Sequence, residues 1–313
     1  MSHRTVGRHL ASRWHWIASI ISGLGLSFCV SAEPVGLLYP DVRDPYQKVF
    51  LNIVEGAESQ LKSTTATFVI TSSTEQTDIQ AWIKNNNIEA VIALSSQTTE
   101  LLVGETLPLV VGAIAAQEPT QYSSVSLNPS PEHLFKGLLV LKPAIKTIHV
   151  VYDSDRNQWE IDQAEKIANK LGLSLTAYST DDLRDAAIAY RDIQKNMDAN
   201  KEALWLPLGG PSRDKSIIQN ILETAWVKDQ VVFSSNLADV KRGVLFAMYP
   251  DNVGMGKELV QLLQEVQKNP DRSHEARFVT SLFKAVNRRT AEHLNIRLSN
   301  QDLSGYDFVY PPK

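Results

Sequence analysis

The chain has 313 residues, a formal net charge of −4, a single cysteine and an apolar content of 43%. That length can bury a large core and hold two domains without disulfide staples. The acidic balance offers no basic patch of the kind that nucleic acid or an anionic membrane requires, so neither is predicted as a partner.

Residues Met1 to Trp16 carry Arg4, Arg8 and Arg13 and no acid, and Ile17 to Val30 is almost wholly apolar. Val30-Ser31-Ala32 then supplies small residues before Glu33. A basic start, a short apolar stretch and a V-x-A site predict a cleavable export signal over residues 1–32 and a periplasmic mature protein. The apolar run is shorter than the roughly 20 residues that span a bilayer, which disfavours a permanent anchor. Phe28 before Cys29 disfavours a lipoprotein. Cleavage after Ala32 would remove the one cysteine, and without the three arginines the net charge falls from −4 to −7.

Val35 to Tyr39 is a short apolar run ended by Pro40-Asp41, the pattern of a buried parallel strand. Val49 to Leu61 has helical spacing, and a second strand is predicted at Ala66 to Thr71. The alternation continues with a helix at Asp78 to Asn85, a strand at Ala90 to Leu94, a helix at Thr98 to Val103 and a strand at Leu107 to Ala113. Repeated strand and helix implies a parallel sheet covered on both faces.

A helix at Pro129 to Leu141 precedes a second round of the pattern. Strands are predicted at Thr147 to Tyr152, Ser174 to Tyr178, Ala203 to Pro207, Gln230 to Ser234 and Gly243 to Met248. Helices are predicted at Gln158 to Leu171, Ala186 to Met197 and Arg213 to Trp226. Beyond Pro250 come a helix at Val253 to Lys268, a strand at Arg277 to Thr280 and a short helix at Ala285 to Leu294. The fold class is therefore α/β, with two doubly wound parallel-sheet lobes and a cleft between them. Ligands of such sheets sit outside the carboxyl ends of the strands.

Phrases spread from Val35 to Ile296 resemble a known family. They include Leu107-Pro108-Leu109-Val110, the run Lys146 to Asp153, Ala168 to Leu173, Tyr249 to Lys257, and the closing stretch Ala285 to Leu294. The chain is similar to the ABC-type substrate-binding proteins of the tryptophan/tyrosine-binding kind, which have the type I periplasmic-binding fold. The resemblance implies a hinge of three crossovers near Ser126, Met248 and Ser281. It divides the chain into residues 33–125 plus 249–281 for the first lobe and 126–248 plus 282–313 for the second. It also implies a small ligand held in the cleft without chemistry and without a cofactor.

Several positions depart from the family pattern: Gly112 with Ala115-Ala116, Asp153-Ser154, Trp159, and Leu208-Gly209-Gly210. Polar ligand contacts of the relatives are missing there, so the family's amino-acid ligands do not carry over directly, and an amino acid or related compound, a different ligand and a weakened site all stay open.

Candidate ligand contacts fall in the loops after the strands. Ser95, Ser96 and Gln97 open a helix whose free N-H groups suit an anion, with ordinary capping as the alternative. Trp159, after a polar loop, can stack on a flat ligand, with Tyr39 and Tyr46 covering it from the first lobe. Asp153, Arg156, Asn236 and Asp251 are further polar candidates. Trp205 and His149 read as core residues. Gly254-Met255-Gly256 reads as a site of close helix packing rather than a phosphate loop.

The four histidines after residue 32, His133, His149, His274 and His293, lack metal-ligand spacing, and no G-x-S-x-G elbow is present. The reading is an exported solute-binding protein that presents a small molecule to an ABC permease. A sensor signalling to a membrane receptor or kinase is the alternative, and a periplasmic enzyme the weakest reading.

Overall fold

The computed structural model describes residues 34–312 except for 120, so the predicted export signal lies outside the described residues. The described residues form one compact unit.

The first lobe opens with β1 (Val35–Pro40), α1 (Tyr46–Gln60), β2 (Thr65–Ile70), α2 (Gln76–Asn85), β3 (Ala90–Leu94), α3 (Ser96–Glu100), β4 (Leu109–Ile114) and β5 (Ser123–Pro129). The second follows with α4 (Pro131–Leu141), β6 (Thr147–Tyr152), α5 (Ser154–Lys170), β7 (Ser174–Ser179), α6 (Leu183–Asn196), β8 (Glu202–Leu206), α7 (Lys215–Val227), β9 (Val231–Ser234), α8 (Leu237–Arg242) and β10 (Phe246–Pro250). The chain then returns through α9 (Asn252–Lys268) and β11 (Ala276–Val279), and ends with β12 (Leu282–Asn287), α10 (Arg288–His293), α11 (Asn300–Ser304) and β13 (Phe308–Tyr310).

One sheet runs β2-β1-β3-β4-β5-β11, all parallel. The other runs β7-β6-β8-β9-β10-β12-β13, parallel except where β12 lies antiparallel to β10. The chain passes between the sheets three times: from β5 to α4, from β10 to α9, and from β11 to β12.

Strand alternation sorts the core into layers. In the first lobe Leu37, Ile92, Val110 and Val125 face α1 and α9, while their neighbours Leu38, Val91, Ala93 and Val111 pack on the α2 face. In the second, Val150, Trp205 and Phe233 pack with α4 and α5, and Val151, Leu204 and Val232 pack with α6 and α7. Trp205 is fully buried and donates its Nε1-H to Ser235 Oγ at 3.1 Å, so it belongs to the core.

Helices α1 and α9 touch backbone to backbone. A Cβ on Gly56 would overlap the Val253 carbonyl, and one on Gly256 would overlap the Ile53 carbonyl. Gly56 and Gly256 thus serve close helix packing, which lets α9, late in the sequence, cover the first sheet, whereas a Cβ on Gly254 would meet the Ser281 side chain at the crossing from β11 to β12.

The structure differs from the sequence reading at several elements. Ser123–Pro129 is a strand, where a helix from Pro129 was expected to be the next element. The stretch Ala285 to Leu294 is not one helix: β12 continues to Asn287, whose side chain accepts from Thr290 N and starts α10 there. Helix α5 begins at Ser154 rather than Gln158, because Asp153 caps it. His149 is not a core residue; it is partly exposed, and Nε2 lies 3.0 Å from Glu202 Oε2.

Candidate functional site

The carboxyl ends of the first sheet's strands are shaped by two unusual backbone positions. Ser95, after β3, has φ 88° and ψ 156°, a region occupied almost only by glycine, and Ala113 at the end of β4 has φ 56°. Ser95 is held there by its N-H to Gly112 O at 2.9 Å and by its Oγ, which accepts from Thr98 N at 3.3 Å. Ser95 is therefore the cap of the five-residue α3, while Ser96 and Gln97 are exposed. Ser96 lines a cavity of about 220 Å³ beside Thr99, Tyr122 and Ser124.

Other candidates from the first lobe are dispersed. Tyr39 stacks on Phe50 with ring centroids 6.4 Å apart, a contact within its own lobe. Tyr46, in the first turn of α1, is 68% exposed.

On the second lobe Asp153 accepts from Asp155 N at 3.1 Å and pairs with Arg156 Nε at 3.3 Å. Asp153 also lines a cavity of about 450 Å³ at the carboxyl ends of β6, β7 and β8, with Asp181, Asp182, Gly209 and Arg213. Asn236 caps α8, accepting from Ala238 N at 3.0 Å. Asp251 caps α9 through Val253 N at 3.1 Å, and its own N-H donates to Ser281 O at 2.9 Å. That bond ties the second crossing between sheets to the third.

The two lobes meet where α5 reaches the carboxyl ends of β5 and β11. Trp159 lies against Phe278 of β11, ring centroids 5.0 Å apart and planes at 31°. One residue on, Glu160 is fully buried, and its Oε2 accepts from Asn128 Nδ2 of β5 at 2.8 Å and from Asn157 Nδ2 at 3.0 Å. Asn128 Oδ1 accepts from Ala116 N at 2.9 Å, and Asn157 Nδ2 also donates to Leu208 O at 3.0 Å. Glu160 Oε1 and Asn157 Oδ1 are buried without a hydrogen-bond partner. Burial pushes the Glu160 carboxyl up to about 7, against the lowering effect of its two amide donors.

Of the sequence candidates, Trp159 alone is seen in a ring contact that crosses between the lobes. Asn128, Asn157, Glu160 and Phe278 were missed. A signal for Glu160 existed: Asn157, Glu160, Ile161, Ala164 and Ala168 form the buried stripe of α5, and a carboxylate in such a stripe is exceptional.

Among the described residues no helix is long and apolar enough to cross a membrane, and no group of three or more His, Cys, Asp or Glu side chains is placed to hold a metal ion.

Two open α/β sheets joined by three crossings, with polar and aromatic side chains meeting at their strand carboxyl ends, define a two-lobed binding protein of the type I periplasmic-binding class. Solved structures share this fold. The ABC domain from Streptococcus pneumonia in complex with L-Trp is 16% identical, with a TM-score of 0.52 over 88% of this chain and 99% of that one. A ligand-free, open substrate-binding protein with adhesive properties from Clostridium difficile is 14% identical, with a TM-score of 0.60 over 88% and 99%. A conserved domain protein from Vibrio cholerae is 16% identical, with a TM-score of 0.53 over 89% and 99%. No curated protein matches the chain. Residues 133–305, more than half of the sequence, match the ABC transporter substrate binding protein family, and the chain belongs to it. Its role is solute binding rather than catalysis.

Proposed function

We propose that this protein captures a small molecule between its two lobes, outside the cytoplasm, and presents it to an ABC-type membrane transporter. The observation that carries the reading is the junction at α5, where Trp159 and Glu160 of one lobe meet Phe278 and Asn128 of the other. Residues there can sense the separation of the lobes, so a ligand that prefers one separation shifts the equilibrium between open and closed forms. Ser95 supports a contact role for the first lobe, since backbone strain of this kind costs about 1–3 kcal/mol and persists where the surroundings enforce it. The candidate contacts from the first lobe are Tyr39, Tyr46, Ser95, Ser96 and Gln97. Those from the second are Asp153, Arg156, Trp159 and Asn236, with Asp251 at the hinge. Amino acids and related compounds are the ligand class to try first.

The test is a thermal-shift screen of the purified protein against amino acids, nucleosides, sugars and small carboxylates. A ligand at a hundred times its dissociation constant adds about 2.7 kcal/mol of stability and raises the melting temperature. A hit that is recovered chemically unchanged supports capture. A screen in which no compound shifts the melting temperature counts against small-molecule capture.

A further inference from the structure

We infer that the second lobe carries a separate binding site for an amphipathic organic anion, in a groove at the end of its sheet remote from the strand carboxyl ends. The groove has a volume of about 860 Å³, within the range of small-molecule sites. It lies where α7 ends, where α8 turns into β10, and where α10 meets the last residues of β13. Asn287, which lines it, closes β12 beside the amino end of β10, where Val286 pairs with Phe246. The Asp153 cavity lies at the opposite, carboxyl ends of β6 to β8.

The floor is apolar and open to solvent: Trp226 is 40% exposed and Val227 is 81% exposed, beside Tyr310 and Pro311. Two exposed cations stand over this floor. Lys241 Nζ lies 5.5 Å from the Tyr310 ring centre, and Arg289 Cζ lies 5.4 Å from that of Trp226. Among the described residues no carboxylate pairs with either of them, whereas the third cation, Arg242, is neutralised by Asp239 at 3.1 Å. A π face attracts a cation without cancelling its charge. In a chain of net charge −4, two cations left unneutralised over an apolar surface make a site for a negative group attached to an apolar body. Glu223 is the acid on the lining, and its carboxylate already accepts from Gln219 Nε2 at 2.9 Å.

The groove is also preformed. Trp226 stacks on His293 with centroids 3.7 Å apart and planes at 7°, and His293 Nε2 lies 3.0 Å from Asp229 Oδ1. Asn287 Nδ2 donates to Val240 O at 2.8 Å, and Thr290 Oγ1 donates to Gly243 O at 2.8 Å, which fixes α10 against the α8 turn. A ligand would therefore find its aromatic floor and its two cations already in place, with little ordering left to oppose binding. The Arg289 guanidinium suits a carboxylate or sulfonate because its N-H groups can donate in parallel.

The probe is 8-anilinonaphthalene-1-sulfonate, with uncharged N-phenyl-1-naphthylamine as its control, titrated by fluorescence into the purified protein. The expected result is a single saturable sulfonate site that weakens as ionic strength rises. The double variant Lys241→Gln/Arg289→Gln is expected to weaken the sulfonate at least about tenfold and the neutral analogue less than about twofold. Both residues are exposed, so an unchanged melting temperature would verify that the variant is folded. Trp226→Ala should weaken both probes. Sulfonate affinity unchanged in the double variant overturns the proposal, as does equal loss of the two probes there. Loss of the sulfonate in Trp159→Ala would place it in the cleft and overturn the proposal as well.

Discussion

Asn128 and Glu160 share a hydrogen bond of 2.8 Å that runs from the carboxyl end of one lobe's β5 to α5 of the other lobe, with Glu160 wholly excluded from solvent. A carboxyl held near pH 7 at such a point makes the junction responsive to protons. The folded state raises this pKa above that of the unfolded chain, so the native protein binds the proton more tightly. Stability from this group is complete below the unfolded value near 4.3 and is lost as pH rises through about 7.

The first prediction follows from that sign. Between pH 5 and pH 8 the wild type should lose stability on the order of 3 kcal/mol through Glu160, while Glu160→Gln, neutral at every pH, should be nearly flat by comparison. Urea unfolding at a series of pH values checks this. Parallel pH profiles for the two proteins would sink the idea that Glu160 is the titrating group.

Removing the partner tests the contact itself. In Asn128→Ala the Glu160 carboxyl keeps the Asn157 donor but loses its link to the other lobe, and Ala116 N-H loses its acceptor. The expected cost is about 1–3 kcal/mol. Small-angle scattering of the ligand-free protein should report a larger radius of gyration. An unchanged radius would mean that the bond does not restrain the lobes.

Much of the layered fold was legible because parallel strands buried on both faces appear as continuous apolar runs, as in Ala90–Leu94, where all five residues are buried. Strand β5 escaped for the opposite reason. Its residues Ser123, Ser124, Ser126 and Asn128 are polar although buried, so it lacks the apolar run by which its neighbours are recognised. The loops singled out for ligand contact are shorter than expected, since Ser96 and Gln97 already belong to α3 and Arg156 to α5, and Asp153, Asn236 and Asp251 are engaged as helix caps. Capping and ligand binding draw on the same residue types, and sequence cannot separate them. Glu160 was passed over because it sits inside a helix, between Trp159 and Ile161, and only the burial of that face gives it meaning.

Close packing of α1 and α9 predicts a severe effect from a single methyl group. A Cβ at Gly56 would overlap the Val253 carbonyl, a backbone atom that cannot rotate away. Gly56→Ala should therefore destabilise by about 3 kcal/mol or more, although alanine is the better helix former. Denaturant unfolding decides it: a stabilised variant would mean that the helices separate without cost.

The crossing from β11 to β12 is anchored by one carboxylate. Glu258 of α9 accepts from Thr280 N at 3.1 Å, from Thr280 Oγ1 at 2.9 Å and from Ser281 N at 2.5 Å. Glu258→Ala should cost about 1.5–3 kcal/mol, because the donors face an ionised acceptor. It should also speed amide hydrogen exchange at Thr280 and Ser281 ahead of the sheet cores. Unaltered protection at those two amides would show that the crossing is held by other contacts.

The last prediction concerns the binding role of Trp159. Its ring contacts Phe278 across the lobes, and a ligand entering this junction must either displace that contact or stack beside it. If the ligand binds at this junction as proposed, it meets the indole in both cases. Trp159→Ala should then weaken the compound found by thermal shift by more than about 1 kcal/mol, the scale at which a truncated aromatic contact is felt in an interface. Ser96→Ala, an exposed hydroxyl beside the strained Ser95, tests the first lobe in the same titration. Affinity within about 1 kcal/mol of wild type in both variants would remove these residues from the binding site. Loss in Trp159→Ala alone would place the ligand on the α5 side of the junction.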